Sequence, residues 1–141
     1  MNLFDTQVKV CGITRPQDVG MCLQKDVRWI GINFYEKSPR SVDLSKAKEL
    51  LTHIPVGQRV YVYVAPSLSR LHRVLDLGFD RYQIHFDPLE STESQIEEWA
   101  EEVTPKNLWL APRLPLHTTF PRSILPFAWN FMIDGYSPDA F

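Results

Sequence analysis

Cys11 closes a short β-rich run, Val8-Lys9-Val10-Cys11-Gly12-Ile13-Thr14-Arg15-Pro16, where an extended segment gives way to a helix. A thiol at that joint, with Lys9 on the same strand face, stands where parallel α/β enzymes put their reactive side chains. Val8, Val10 and Ile13 favour extended backbone. Gly12 lets the chain bend or lets another group approach the backbone closely, and Pro16 starts the helix without wasting an N–H. Strand parity gathers further polar groups. Asn33 lies with Gly31, Gln83 shares a face with His85, Arg113 follows Trp109 and Ala111, and Asn130, Met132 and Asp134 share a face. The opposite faces read Val8/Val10, Ile30/Ile32/Phe34, Val60/Val62/Val64, Leu108/Leu110 and Phe131/Ile133, and are expected to pack on helices. A sheet apolar on one side and polar near its strand ends on the other matches a barrel interior with a site at its C-terminal mouth.

Each of these residues also has a plainer reading. A strand cysteine is most often a small buried hydrophobe, and Cys22 on the first helix is expected to be only that. Asp134 before Gly135 suits an ordinary turn. Arg40 suits a solvated loop, His85 a hydrogen-bonded interior, and Tyr61 and Tyr63 plain packing. Taken singly, none carries a function.

The elements that must position these groups alternate with little waste. The first strand is read over 8–13, with a helix from about Arg15 to Lys25. Trp29 to Tyr35 forms the second strand, with Lys37-Ser38-Pro39-Arg40 as its loop. Asp43 or Ser45 caps a helix whose apolar positions, Leu44, Ala47, Leu50, Leu51 and Ile54, recur at helical spacing. Arg59 to Ala65 is the third strand. Ser67 starts a helix buried through Leu68, Leu71, Val74 and Leu75 and stopped at Gly78. Arg81 to Phe86 is the fourth strand, Ser91 to Val103 an amphipathic helix, and Leu108 to Ala111 the fifth strand. The region 112–126 holds at most a short helix, and Phe127 to Ile133 is the sixth strand, ending at Asp134. Six strands with five crossovers predict an α/β fold with a parallel sheet, as a βα barrel or a wound sheet.

At 141 residues the chain is read as one domain, 1–141, able to bury a core. A hydrophobic content of 44% and charge of 23% are ordinary for a globular protein. A net charge of −2 gives no electrostatic reason for a nucleic-acid partner. No apolar run suffices for a bilayer, and Asn2, Asp5, Gln7 and Lys9 interrupt any secretory core, so no membrane partner and a cytoplasmic location are expected. Cys11 and Cys22 fit a reducing compartment, and neither a disulfide nor a metal site is expected.

Val8-Lys9-Val10-Cys11-Gly12-Ile13-Thr14 closely resembles the opening signature of the phosphoribosylanthranilate isomerases of tryptophan biosynthesis, which are (β/α)8 TIM barrels. Three further landmarks follow in order: Gly31-Ile32-Asn33-Phe34-Tyr35 running to Ser38-Pro39-Arg40, then Tyr82-Gln83-Ile84-His85, then Phe131-Met132-Ile133-Asp134. The resemblance implies an incomplete barrel of about six parallel strands and five helices, lacking the last two βα units of a barrel of about 200 residues or more. It implies an Amadori rearrangement of the phosphoribosyl aminoaldose to the deoxyribulose phosphate, with no cofactor and no metal. Cys11 is then the base and Asp134 the acid. The chemistry asks for the thiolate of Cys11, favoured by Lys9, and for a protonated Asp134. Arg40 fits the anthranilate carboxylate, since a guanidinium matches a carboxylate with two bonds. Gln83, Arg113 and Lys9 are candidates for lining the substrate.

Two departures bear on this expectation. Phe86 follows His85 where the family usually has glycine. The chain also stops where the family continues into a Gly-Gly-Thr-Gly phosphate loop, and its six glycines are all isolated. Open sheet edges then predict a homo-oligomer or a complementing C-terminal fragment. The alternatives are a non-catalytic, self-associating barrel fragment without the phosphate site, one part of a split enzyme, or a different sugar-phosphate barrel enzyme.

Overall fold

The computed structural model describes residues 6–136, with side chains as far as Ile133. The chain divides into two compact units, Met1–Val62 with Asp76–Asp80, and Tyr63–Leu75 with Arg81–Phe141. The division falls inside a strand rather than in a linker.

The first unit contains β1 (Lys9–Cys11), α1 (Pro16–Gln24), β2 (Trp29–Asn33), α2 (Leu44–His53) and the beginning of β3 (Arg59–Val64). β1 pairs parallel with β2, Cys11 opposite Gly31, and β2 pairs parallel with β3, Gly31 opposite Val60 and Ile32 opposite Tyr61. Arg15 precedes α1 without capping it through its side chain, which grips Asp18 at 2.7 and 2.8 Å instead. Of the two expected caps of α2, Asp43 serves, accepting from Lys46 N at 2.8 Å. The Arg59 guanidinium donates to Leu51 O and Ile54 O, each at 2.9 Å, and so closes the C-terminal end of α2 with a cation. Asp80 Oδ2 accepts from Gly57 N at 2.8 Å and Arg59 N at 3.0 Å. Arg28 donates to Gly57 O at 2.6 Å and lies 4.1 Å above the Trp29 ring.

The register corrects one expectation. Tyr61 shares a face with Ile32, and its ring packs on Phe34 and Phe79 at 5.1 and 5.7 Å. Val60 and Val62 therefore share the face of Gly31 and Asn33 instead of turning towards the helices. Both faces of β3 are apolar and buried, so hydropathy could not tell one from the other.

The second unit contains the end of β3, α3 (Leu68–Leu75), β4 (Arg81–Phe86), α4 (Glu93–Val103), β5 (Leu108–Pro115), a 3-10 helix (Arg122–Phe127), β6 (Asn130–Phe131) and β7 (Asp134–Tyr136). Thr92 caps α4 through Gln95 N. Trp99 of α4 is fully buried, donates Nε1–H to Pro66 O at 2.9 Å and meets Phe86 edge to face at 6.0 Å. β4 and β5 are parallel partners over Tyr82–Phe86, and both β6 and β7 lie parallel to β5.

The expected sixth strand is thus two pieces. Asn130 opposes Trp109 and Asp134 opposes Arg113, a single register interrupted at Met132 and Ile133. Met132 N still bonds Leu110 O at 2.9 Å. The next donor due in a parallel ladder is the N–H of residue 112, which is proline and has none. The short helix allowed in the proline-rich region is a 3-10 helix, Arg122–Phe127, with Pro126 inside it.

Candidate active site

The first unit carries Lys9, Cys11 and Arg40, each placed by a glycine. Gly31 is buried in the middle of β2, opposite Cys11. A Cβ there would lie 3.1 Å from Lys9 Nζ, 3.1 Å from Cys11 Sγ and 3.3 Å from Cys11 Cα. The ammonium and the thiol thus share the space that a side chain at 31 would need. Gly31 O also accepts from two successive amides, Gly12 N at 2.9 Å and Ile13 N at 3.2 Å, which fixes the turn leaving β1.

Gly12 has φ +79°, and a Cβ on it would meet Arg40 Nε at 2.9 Å and Cδ and Cζ at 3.0 Å. Both roles expected of this glycine, a bend and a close approach, are present, and the approaching group is Arg40. The loop after β2 returns the arginine to that position. Tyr35 N bonds Asn33 Oδ1, Arg40 N bonds Ser38 Oγ at 3.2 Å, and Val42 N bonds Asn33 O at 2.9 Å. Arg40 Nη1 then donates to Cys11 O at 3.1 Å. Arg40 is exposed, and a guanidinium with five N–H donors keeps capacity for an anion after that bond. Cys22, the other thiol, is buried in α1; burial first, and the charge of Asp18 second, push it up. It is a core residue, as expected.

In the second unit Gln83, His85 and Arg113 fall on one face of β4 and β5, since Gln83 opposes Trp109 and His85 opposes Ala111. Gln83 is 2% exposed, and its Nε2 lies 2.6 Å from His85 Nε2. With the amide nitrogen donating, His85 Nε2 is the acceptor and its proton sits on Nδ1. Gln83 Oε1 is buried with no hydrogen-bond partner among the described residues. Arg113 is exposed, one residue past Pro112. Asp134 begins β7 opposite Arg113, and its side chain lies outside the described residues.

Sequence reasoning left His85 as an interior histidine and passed over Gly31. The signals were present: His85 stands two residues from Gln83 on the same strand face, and Gly31 interrupts an otherwise apolar buried strand. The first unit brings Lys9, Cys11 and Arg40 together, and the second joins Gln83 to His85 on the strand face that Arg113 shares.

No family model matches the chain. The curated N-(5'-phosphoribosyl)anthranilate isomerase of Acinetobacter calcoaceticus is 30% identical over 136 residues, which are 95% of this chain and 64% of that protein. The one from Rhodospirillum centenum is 41% identical over 81 residues, 56% of this chain and 38% of its own length. The phosphoribosyl anthranilate isomerase structure of Thermus thermophilus superposes with a TM-score of 0.73 at 22% identity, over 96% of this chain and 65% of that one. The Thermotoga maritima structure gives 0.71 at 19% identity, over 95% and 63%. These likenesses give the chain the fold of part of a (β/α)8 barrel, with six parallel strands as expected. The chain spans less than two thirds of the length of each of these four proteins.

Proposed function

We propose that the chain, 30% identical over 136 residues to the Acinetobacter calcoaceticus isomerase, is of the phosphoribosylanthranilate isomerase family and performs, or forms part of an enzyme that performs, the Amadori rearrangement of N-(5'-phosphoribosyl)anthranilate. A proton given to the ribose ring oxygen opens the ring and leaves an iminium between C1 and the anthranilate nitrogen. Removal of the C2 proton sends that electron pair into the C1–C2 bond. The resulting enolamine tautomerises to the amino ketone, 1-(o-carboxyphenylamino)-1-deoxyribulose 5-phosphate. The reaction needs one acid and one base.

In this reading Asp134 is the acid and Cys11 the base, with Lys9 alongside the thiol. Arg40 grips the anthranilate carboxylate in a forked pair, and Gln83 and Arg113 line the substrate. The observation that carries the reading is the convergence of Cys11 and Arg40 about Gly12 in a chain 30% identical to such an isomerase over 136 residues. The test is the loss of fluorescence of freshly made phosphoribosylanthranilate on adding the protein. Turnover that disappears in Cys11→Ala and Asp134→Asn is the expected result, and activity surviving both substitutions discards these roles.

The same reading places the enzyme in the cytoplasm; no helix among the described residues is long and apolar enough to cross a membrane. Trp129 and Ile133 beside β6 are 70% and 71% exposed. We propose that a second copy of the chain, or a polypeptide bringing further strands, covers them. A stable monomer mass by light scattering in dilute solution counts against that partner.

A further inference from the structure

We propose that Gly12 sets the substrate specificity of the Arg40 grip: its bare Cα is the seat of the guanidinium and fixes how far the carboxylate contact lies from the Cys11 thiol. The inference rests on the reading of Arg40 as the carboxylate grip and goes one step further, from which residue binds to what holds that residue in place.

Three observations carry it. The atoms that a Cβ on Gly12 would strike are Nε, Cδ and Cζ of Arg40, at 2.9–3.0 Å. They are the root of the guanidinium rather than its tips, so a side chain at 12 displaces the whole group. The seat itself is fixed, because Gly12 N and Ile13 N both hang from Gly31 O. The guanidinium is then pinned by Nη1 to Cys11 O at 3.1 Å, and the backbone of Arg40 by Ser38 Oγ at 3.2 Å.

The pin makes a ruler. Covalent geometry keeps Cys11 Sγ within about 5 Å of the Cys11 carbonyl oxygen, and that oxygen holds the guanidinium. Carboxylate grip and thiol are therefore tied through a single residue. The ligand class this suits is an aromatic amine whose carboxylate is adjacent to the nitrogen, so that the carboxylate and the carbon losing its proton stand a few bonds apart. A site with prepaid polar contacts rejects the analogue that lacks the matching group.

The experiment has two arms on the full chain. In the first, the Arg40 guanidinium is followed by side-chain nitrogen NMR; a seated group is expected to show distinct, slowly exchanging Nη signals. Free rotation in the wild type overturns the proposal, whatever becomes of any variant. In the second arm, the reduced form of 1-(o-carboxyphenylamino)-1-deoxyribulose 5-phosphate and its counterpart without the carboxylate are titrated into wild type and Gly12→Ala. The wild type is expected to prefer the carboxylated ligand by about tenfold or more. Gly12→Ala, strained in addition by the φ of +79°, is expected to weaken the carboxylated ligand about tenfold more than its counterpart and so to lose that preference. A folded Gly12→Ala that keeps the preference overturns the proposal. A wild type with a seated guanidinium that binds neither ligand overturns the isomerase reading and leaves the seating of Arg40 supported.

Discussion

The Lys9 ammonium and the Cys11 thiol converge on one vacancy, the missing side chain of Gly31, each 3.1 Å from where a Cβ would stand. The neighbouring strand thereby sets the placement of both groups, and Gly31 becomes the position to test. Gly31→Ala obliges Lys9 Nζ, Cys11 Sγ and the Cys11 backbone to give by a few tenths of an ångström; the overpacking is expected to cost up to about 1–3 kcal/mol, and the displacement of Cys11 about ten- to a hundredfold in the proposed turnover. Thermal unfolding and the fluorescence assay read the two effects separately. Gly20→Ala is the control, since nothing lies within 4 Å of its Cβ, and it is expected to stabilise α1 by about 0.5–1 kcal/mol.

The two thiols should separate by reactivity. Cys11 is half-buried at the end of β1, whereas Cys22 is 8% exposed in the core. Alkylation of the native protein at pH 8 is expected to label Cys11 and spare Cys22 until the chain unfolds. Folding favours the neutral Cys22 thiol, through burial first and Asp18 second. That contribution is whole below the ordinary thiol range and disappears as pH rises through the raised value. Cys22→Ala should therefore flatten the alkaline arm of the stability–pH curve; an arm of unchanged slope would refute the assignment.

Asp80 is expected to be a large contributor to stability. Its Oδ2 satisfies two amides, Gly57 N and Arg59 N, and Asp80→Ala leaves both without it at a cost of about 2–3 kcal/mol. Urea unfolding midpoints at constant slope would measure this.

Trp99→Phe keeps most of the ring volume but removes the indole N–H that donates to Pro66 O. The stranded carbonyl is expected to cost about 1–3 kcal/mol, and Trp99→Ala about 3–5 kcal/mol. A Trp99→Phe variant as stable as the wild type would mean that the hydrogen bond contributes nothing.

Pro112→Ala supplies the donor whose absence separates β6 from β7. The amide of residue 112 in that variant is expected to be protected from hydrogen exchange by Met132 O. Free exchange there would show that the interruption has another origin.

Much of this arrangement was legible in the residue order because the decisive signals are local. Asp43 before an apolar helical stripe and Pro16 at a helix start each act within one turn. The polar face of β4 and β5 was equally readable, since Gln83, His85 and Arg113 stand out against apolar neighbours. What escaped depends on partners far along the chain. The faces of β3 needed the register with β2, because valines and tyrosines bury equally well. Gly12 announced a close approach without saying that Arg40 makes it. Pro112 was visible as a proline, but its effect appears only in the strand opposite, at Met132.

The fastening formed by Arg28, Gly57, Arg59 and Asp80 gathers around the amino-terminal end of β3, while Cys11 and Asn33 close the carboxyl-terminal ends of β1 and β2. Within this unit the rivets and the working edge occupy opposite rims. A designer can therefore rewrite the stretch 35–41 for a new ligand, retaining Arg40 or discarding it, while Phe34 stays on Tyr61 and Phe79 and the bolts underneath stay fast.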